Sequence, residues 1–378
     1  MRLIVAFWLL AVASSLHAQQ PPLPVPPAPA VAAKAYLLVD FNSGRRLAEH
    51  NVQMRVEPAS LTKLMTAYIA FSALEQGRIR PNQQVPVSVA AWRTRGSRMF
   101  IEPRKPVTVN QLLNGMIVQS GNDASVALAE AIAGSEEVFA QVMNREAQRL
   151  GLKNTRFVNA TGLPHPDHYS TTEDLAALAA AIIRDFPKYY ELYSQKDFTY
   201  NKIKQSNRNR LLWTDPTVDG VKSGHTENAG WCLITSAKRG EHRLISVVVG
   251  AESETGRAIE SQKLLNYGFQ FYESYRIYAK NEPVATLQVF KGAADSIKAG
   301  LATDLYVTLP RGQRGKLSAT VEGAQPLLAP IAARQQVGMM KVLFDGKPYR
   351  ELPVVALEAV PVAGIFGRAW DSVRMWFH

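Results

Sequence analysis

The apolar residues of this chain change their spacing along its length, and that change constrains the fold more than any other feature. Residues 36–40 are a short β-prone run, Asn42-Ser43-Gly44 is a turn signal, and 46–49 returns as a hairpin strand. Leu61, Leu64, Met65, Tyr68 and Ile69 then recur at i, i+3, i+4, i+7 and i+8, which predicts a helix with one apolar face, ended by Gly77. Further helices are predicted over 112–118, 124–133, 138–150 and 172–184, with Gly151 placed as a C-cap and Ser170-Thr171-Thr172-Glu173 resembling a capping box. The period then becomes that of strands over 231–237 and 243–251, around the turn Lys238-Arg239-Gly240-Glu241, before helix returns over 255–273. Helices lying between an early hairpin and late antiparallel strands predict an α+β layer fold.

Beyond residue 276 the helical spacing stops, and short runs at 286–290, 305–309, 316–321 and 337–344 are separated by Gly and Pro. They predict a small all-β domain, consistent with 378 residues being too long for one average domain. The expected division is a signal peptide at 1–18, a Pro-rich linker at 19–34, a catalytic domain at 35–275, a β domain at 276–362 and a C-terminal helix at 363–378. The signal peptide is indicated by Arg2, the apolar run 3–13 and the small Ala18; eleven apolar residues are too few to span ~30 Å of hydrocarbon. Six prolines in 21–30 favour an extended segment rather than a packed element. In the tail, Phe366, Ala369, Trp370, Val373, Trp376 and Phe377 share one helical face against Arg368, Asp371, Ser372 and Arg374. That pattern predicts a helix lying on a membrane surface, and about 22 Å of helix is too short to cross one.

A net charge of +11 is compatible with an anionic lipid or cell-wall surface and equally with simple solubility; no nucleic-acid partner is expected. A single cysteine, Cys232, excludes a disulfide framework within the chain, and the scattered histidines, His165 and His168 included, offer no metal-ligand spacing. No metal or organic cofactor is expected.

Three short motifs carry candidate chemistry. In Ser60-Leu61-Thr62-Lys63, after Pro58, the serine and lysine fall on one helix face about 5–6 Å apart at Cβ. A serine hydroxyl needs a base, and Lys63 serves only if neutral, a state costing ~4.6 kcal/mol at pH 7 for an ordinary lysine. Burial, a second cation and a helix N-terminus all act to lower that cost. The alternative is a capping serine beside a surface lysine. Ser120-Gly121-Asn122 lies at a break between helices, where a hydroxyl passes protons and an amide binds a peptide oxygen, or where the three residues merely punctuate the helix. Lys222-Ser223-Gly224 ends a strand-like run; it is a carboxylate clamp with room for a ligand backbone, or a turn.

Together, in this order and spacing, the three motifs resemble those of the serine penicillin-recognising superfamily of penicillin-binding proteins and class A β-lactamases. With Glu57-Pro58-Ala59-Ser60, Gln119-Ser120-Gly121-Asn122-Asp123 and 219–226 around them, the chain is more similar still to the low-molecular-weight D-alanyl-D-alanine carboxypeptidases, over nearly everything from Ala35 to the C-terminus, the β domain and tail included. Ser223 stands where the family usually has threonine and keeps the hydroxyl. The resemblance implies a β-lactamase/transpeptidase-like catalytic domain, an acyl-forming Ser60, Lys63 as its base, Ser120 as proton relay, Lys222 as a positive charge and Asn122 orienting a substrate amide. It also implies an oxyanion hole of the Ser60 and His225 N–H groups, and a substrate carboxylate met by Ser223 with Arg257 and Arg208. Ser97 is expected on a loop at the cleft. The implied substrate is the peptidoglycan stem peptide, on the periplasmic face of the inner membrane, with β-lactams as covalent inhibitors. A β-lactamase or a penicillin sensor of the same superfamily remains the alternative, but Glu173-Asp174-Leu175 lacks the Leu-Asn ending of the deacylating glutamate of class A enzymes, and Glu173 is expected to be a capping acid.

Overall fold

The computed structural model describes residues 25–364; the expected signal peptide and C-terminal helix lie outside the described residues. Five antiparallel strands form the catalytic sheet, in the spatial order Arg46–His50, Ala35–Asp40, His242–Ala251, Gly230–Arg239, Val218–Thr226. The first hairpin thus pairs with strands some two hundred residues later, and Leu37 sits opposite Val247. Both faces of this sheet are covered. Leu37, Ile234, Ile245 and Val247 join a core with the helices Lys63–Glu75, Val109–Val118, Asn122–Ala133, Glu136–Arg149 and Thr172–Asp185. Leu38, Leu233, Leu244 and Val248 turn the other way, onto the helix Glu254–Phe271. A two-sided core explains why 244–249 is a nearly continuous apolar run rather than an alternating one.

The helix Lys63–Glu75 lies at the centre of the larger core, buried at Leu64, Met65, Thr66, Ala67, Tyr68, Ile69 and Phe71 alike. The single apolar face expected from its spacing is therefore too narrow a description, because neighbours surround it. It is preceded by a 3₁₀ turn, Ala59–Thr62, so the nucleophile motif begins one turn before the helix proper.

The β domain contains the expected strands and three more. Tyr272–Tyr278 follows directly from the preceding helix and pairs with Leu305–Pro310, so the helix expected to reach 273 ends at Phe271. Pro283–Gln288, Ser296–Leu301, Lys347–Ala356, Gln336–Phe344 and Leu317–Gly323 form a five-stranded sheet around a core of its own.

Two local expectations are corrected. The described part of the Pro-rich segment has no regular structure, but it is packed: Val25 and Val31 lie on the second core and the Pro26 carbonyl accepts a hydrogen bond from Tyr267 Oη at 3.0 Å. Glu173 is not the capping acid of its helix. Thr171 is the N-cap and accepts from the Asp174 N–H at 3.2 Å, while Glu173 bonds Arg46 and Gln53 at the surface. The N-cap lies one residue later than the motif suggested, which moves Glu173 to a side-facing position.

Phe71 packs against Phe186 and Tyr189 with centroids at 5.9 and 5.2 Å. Phe71→Ala is expected to cost about 3–5 kcal/mol in urea unfolding, whereas Glu173→Gln, which breaks a surface pair, is expected to cost no more than about 1 kcal/mol.

Candidate active site

The nucleophile turn is built from a close approach of three segments. Ala59 lies at φ +47° and Ser120 at φ +67°, a region costly for residues with a side chain; such strain collects at functional sites. Against the turn presses Gly162, at φ +83°, where a Cβ would fall 1.7 Å from the Ala59 carbonyl oxygen, so only glycine fits. Asn159 shapes that loop: its Oδ1 accepts from the N–H groups of Thr161 and Gly162 at 3.1 and 2.7 Å. On the other side, Gly224 of the sheet edge brings its backbone beside Ser60, and a Cβ there would lie 3.2 Å from the Ser60 nitrogen.

Lys63 opens the central helix and is buried. Its Nζ donates to Ser60 Oγ at 2.9 Å and to the Thr161 carbonyl at 2.6 Å. Burial, and next the Arg208 guanidinium, lower its pKa from 10.5 to about 7 against the opposing pull of Asp123. The lysine is thus poised to exchange a proton near neutrality. A second amine–hydroxyl pair faces it. Lys222 Nζ donates to Ser120 Oγ at 2.9 Å and to the Ser223 carbonyl at 3.1 Å. Burial, then Lys63, Arg208 and Arg257, push Lys222 well below an ordinary lysine. The same forces that free Lys63 of its proton therefore act on Lys222, so the positive charge expected there is opposed by its surroundings.

The opposite wall is held by Asn122 and Asp123 at the start of their helix. The Asn122 N–H donates to the Ser97 carbonyl at 2.7 Å and its Nδ2 to the Arg95 carbonyl at 2.6 Å. Its Oδ1 is a buried acceptor without a hydrogen-bond partner among the described residues. The Asp123 carboxylate receives the N–H groups of Met99, Phe100 and Ile101 at 3.0, 2.9 and 3.2 Å and so fixes the segment that carries Ser97.

The cleft between these walls has a volume of about 210 Å³. Ser60, Ser97, Ser120, Asn122, Ser223, His225, Arg208 and Arg257 line it, with Lys63 and Lys222 directly beneath. The structure therefore brings every expected site residue together. The two arginines differ. Arg257 is buried, donates to the Gly224 and Arg208 carbonyls at 3.2 and 3.4 Å, and meets Glu254 at 3.2 Å. Arg208 is exposed and makes no ion pair among the described residues. Thr161, Gly162, Leu163 and Trp231 also line the cleft and were not foreseen. The Asn159-Ala160-Thr161-Gly162 turn chemistry was the one available signal for the first three. Cys232 is no rival nucleophile, since burial raises its thiol to about 11.

Residues 22–253 match the family described as D-alanyl-D-alanine carboxypeptidase, and 272–362 match the penicillin-binding protein 5 C-terminal domain. The chain belongs to the D-alanyl-D-alanine carboxypeptidase family. It is 41% identical over 362 residues to the D-alanyl-D-alanine carboxypeptidase DacA of Escherichia coli (strain K12), covering 94% of this chain and 90% of that protein. Penicillin-binding protein 5 from Haemophilus influenzae superposes with a TM-score of 0.85 at 41% identity, over 88% of this chain and 98% of that one. Penicillin-binding protein D2 from Listeria monocytogenes, solved in its ampicillin-bound form, superposes with a TM-score of 0.59 at 31% identity, over 63% and 98% of the two chains. The fold is that of the carboxypeptidase family, a mixed helix and sheet domain followed by an all-β domain, and membership makes the chain a serine hydrolase of the peptidase class.

For this carboxypeptidase family member the state of Lys63 sets a pH dependence. The neutral amine grows as pH rises through its lowered pKa, so the rate of acylation by a β-lactam should climb with a midpoint near pH 7. Stability moves in the same direction. Between about 7 and 10.5 the unfolded chain binds a proton that the folded chain lacks, so the penalty this group places on folding at lower pH is progressively relieved across that window. Lys63→Arg, which keeps the charge and cannot deprotonate, is expected to show no acylation at any pH from 6 to 9 by stopped-flow measurement.

Proposed function

We propose that this chain is a serine-type carboxypeptidase that removes the terminal D-alanine from peptidoglycan pentapeptide stems through an acyl-enzyme on Ser60. The observation that carries the reading is the 2.9 Å contact between Ser60 Oγ and the buried Lys63 amine, in a chain of this family. Lys63 takes the Ser60 proton as Oγ attacks the carbonyl carbon of the penultimate D-alanine. The resulting oxyanion lies toward the N–H groups of Ser60 and His225, a kind of interaction worth about 3–4 kcal/mol per donor. When the C–N bond breaks, the proton held by Lys63 passes through Ser120 and Lys222 to the departing amine, and Lys63 is neutral again. Water then attacks the ester, its proton goes to Lys63, and Ser60 Oγ recovers one. Asn122 Oδ1 accepts from the substrate amide, and Ser223, Arg208 and Arg257 receive the terminal carboxylate, whose charge favours protonated Lys222.

A β-lactam enters the same attack, but the amine released by ring opening stays tethered to the acyl group. Glu173 supports a slow escape from that state, since it is engaged with Arg46 and Gln53 and does not line the cleft. The chain is further proposed to be exported by 1–18 and held on the periplasmic face of the inner membrane by 363–378, on the strength of their sequence patterns.

Purified protein should release D-alanine from diacetyl-Lys-D-Ala-D-Ala and form a benzylpenicillin adduct on Ser60 lasting minutes or longer by mass spectrometry. Ser60→Ala should do neither. Penicillin turnover faster than peptide turnover, with no adduct, would identify a β-lactamase instead. Removal of 364–378 should release the protein from membranes and leave peptide hydrolysis intact; a truncated form that still pelleted with membranes would refute the anchor.

A further inference from the structure

The wall of the cleft that carries Gly96 and Ser97 runs on into 98–103. There, with the short helix Val89–Arg93, it surrounds a second, open cavity of about 440 Å³ lined by Trp92, Arg98, Phe100, Ile101, Glu102 and Pro103. Trp92 and Phe100 are 40% and 42% exposed. Phe100 lies at φ +70°, and Asp123 holds its N–H together with those of Met99 and Ile101. Backbone strain is thus imposed on the residue whose ring faces solvent, an arrangement typical of ligand clamps.

The charge of this surface is one-sided. Arg98 lines the cavity, and neither it nor its neighbours in sequence, Arg93, Arg95 and Arg104, make an ion pair among the described residues. The sole acid of 89–105, Glu102, is bound to Lys105 at 2.7 Å. The Arg98 guanidinium lies 5.6 Å from the Phe100 ring, so cation and aromatic form one surface. The surface is also tied to the cleft, because the Arg95 and Ser97 carbonyls are the two partners of Asn122.

A cleft of about 210 Å³ holds little more than a terminal dipeptide. With the carboxylate at Arg208 and Arg257 and the scissile bond at Ser60, the rest of the substrate must leave over a wall. We propose that the Trp92–Phe100 surface is a subsite for the upstream, glycan-bearing part of the polymer, with a sugar ring stacked on the aromatic side chains and a carboxylate of the same strand on Arg95 and Arg98. Aromatic faces suit the C–H face of a sugar, and unpaired guanidinium groups suit a carboxylate. A purely apolar partner would leave those arginines without counter-charge. The proposal rests on the carboxypeptidase reading.

The test compares D-alanine release from diacetyl-Lys-D-Ala-D-Ala, from a sugar-free pentapeptide with its acidic residue, and from the disaccharide-linked pentapeptide. Trp92→Ala/Arg98→Ala should lose tenfold or more in kcat/KM on the disaccharide substrate, and stay within twofold of the parent on the short peptide and in penicillin acylation. Trp92→Ala alone should spare the sugar-free pentapeptide, Arg98→Ala should not, and Trp92→Tyr should restore most activity on the disaccharide substrate. Equal losses on all three substrates, or no loss on the sugar-bearing one, would overturn the subsite. If the unmodified protein released D-alanine from none of them, the carboxypeptidase reading itself would fail.

Discussion

The site depends on keeping water away from the Lys63 amine. A lysine holds its proton at neutral pH because water solvates the charge, and this one is enclosed by the Thr161 carbonyl, Ser60 and the surrounding core. Everything near it serves that enclosure. The helix it opens is buried on nearly every side, the 159–163 loop seals one flank through Gly162, and the sheet edge closes the other through Gly224. A desolvated cation is costly, and here the cost falls on the protonated form of Lys63, the base of the proposed mechanism.

The second amine follows from the first. Lys222 and Lys63 share one low-dielectric space with Arg208 and Arg257 nearby, and no carboxylate makes a direct contact with either lysine among the described residues. Asp123 is the nearest compensating charge, yet its oxygens are committed to three backbone N–H groups. The cleft is therefore under-supplied with negative charge. In the proposed mechanism a substrate carboxylate supplies what such a site lacks, and its arrival would stabilise the protonation that relay to the leaving amine requires. Selectivity for a free C-terminus and activation of the relay thus have a common electrostatic origin.

Much of this was legible from residue order. The alternation of periods identified the mixed layer fold and the β domain, and the resemblance of the three motifs to those of a known family implied that Ser60, Lys63, Ser120, Asn122, Lys222 and Ser223 share one site, where the structure brings them together. Strand 272–278 was not visible because it continues directly from a helix and pairs with 305–310; 296–301 and 347–356 each form a hairpin with the strand before them, but their mixed polar and apolar residues weaken the period. Glu173 was assigned to a cap because a motif one residue out of phase still fits the pattern. The Pro-rich segment lacked any sign of packing, since its apolar residues meet a helix more than two hundred residues away.

The sequence by itself determined which groups were available and which lay on a common turn: a serine and a lysine three apart at a helix start share one face. Tertiary structure alone decided that Lys63 is dry, that Lys222 shares its cavity, that Arg208 rather than Arg257 is the less committed cation, and that Asp123 spends its charge on a loop. Those are properties of solvent exclusion and of distances between segments far apart in the chain, and neither is encoded in local residue order.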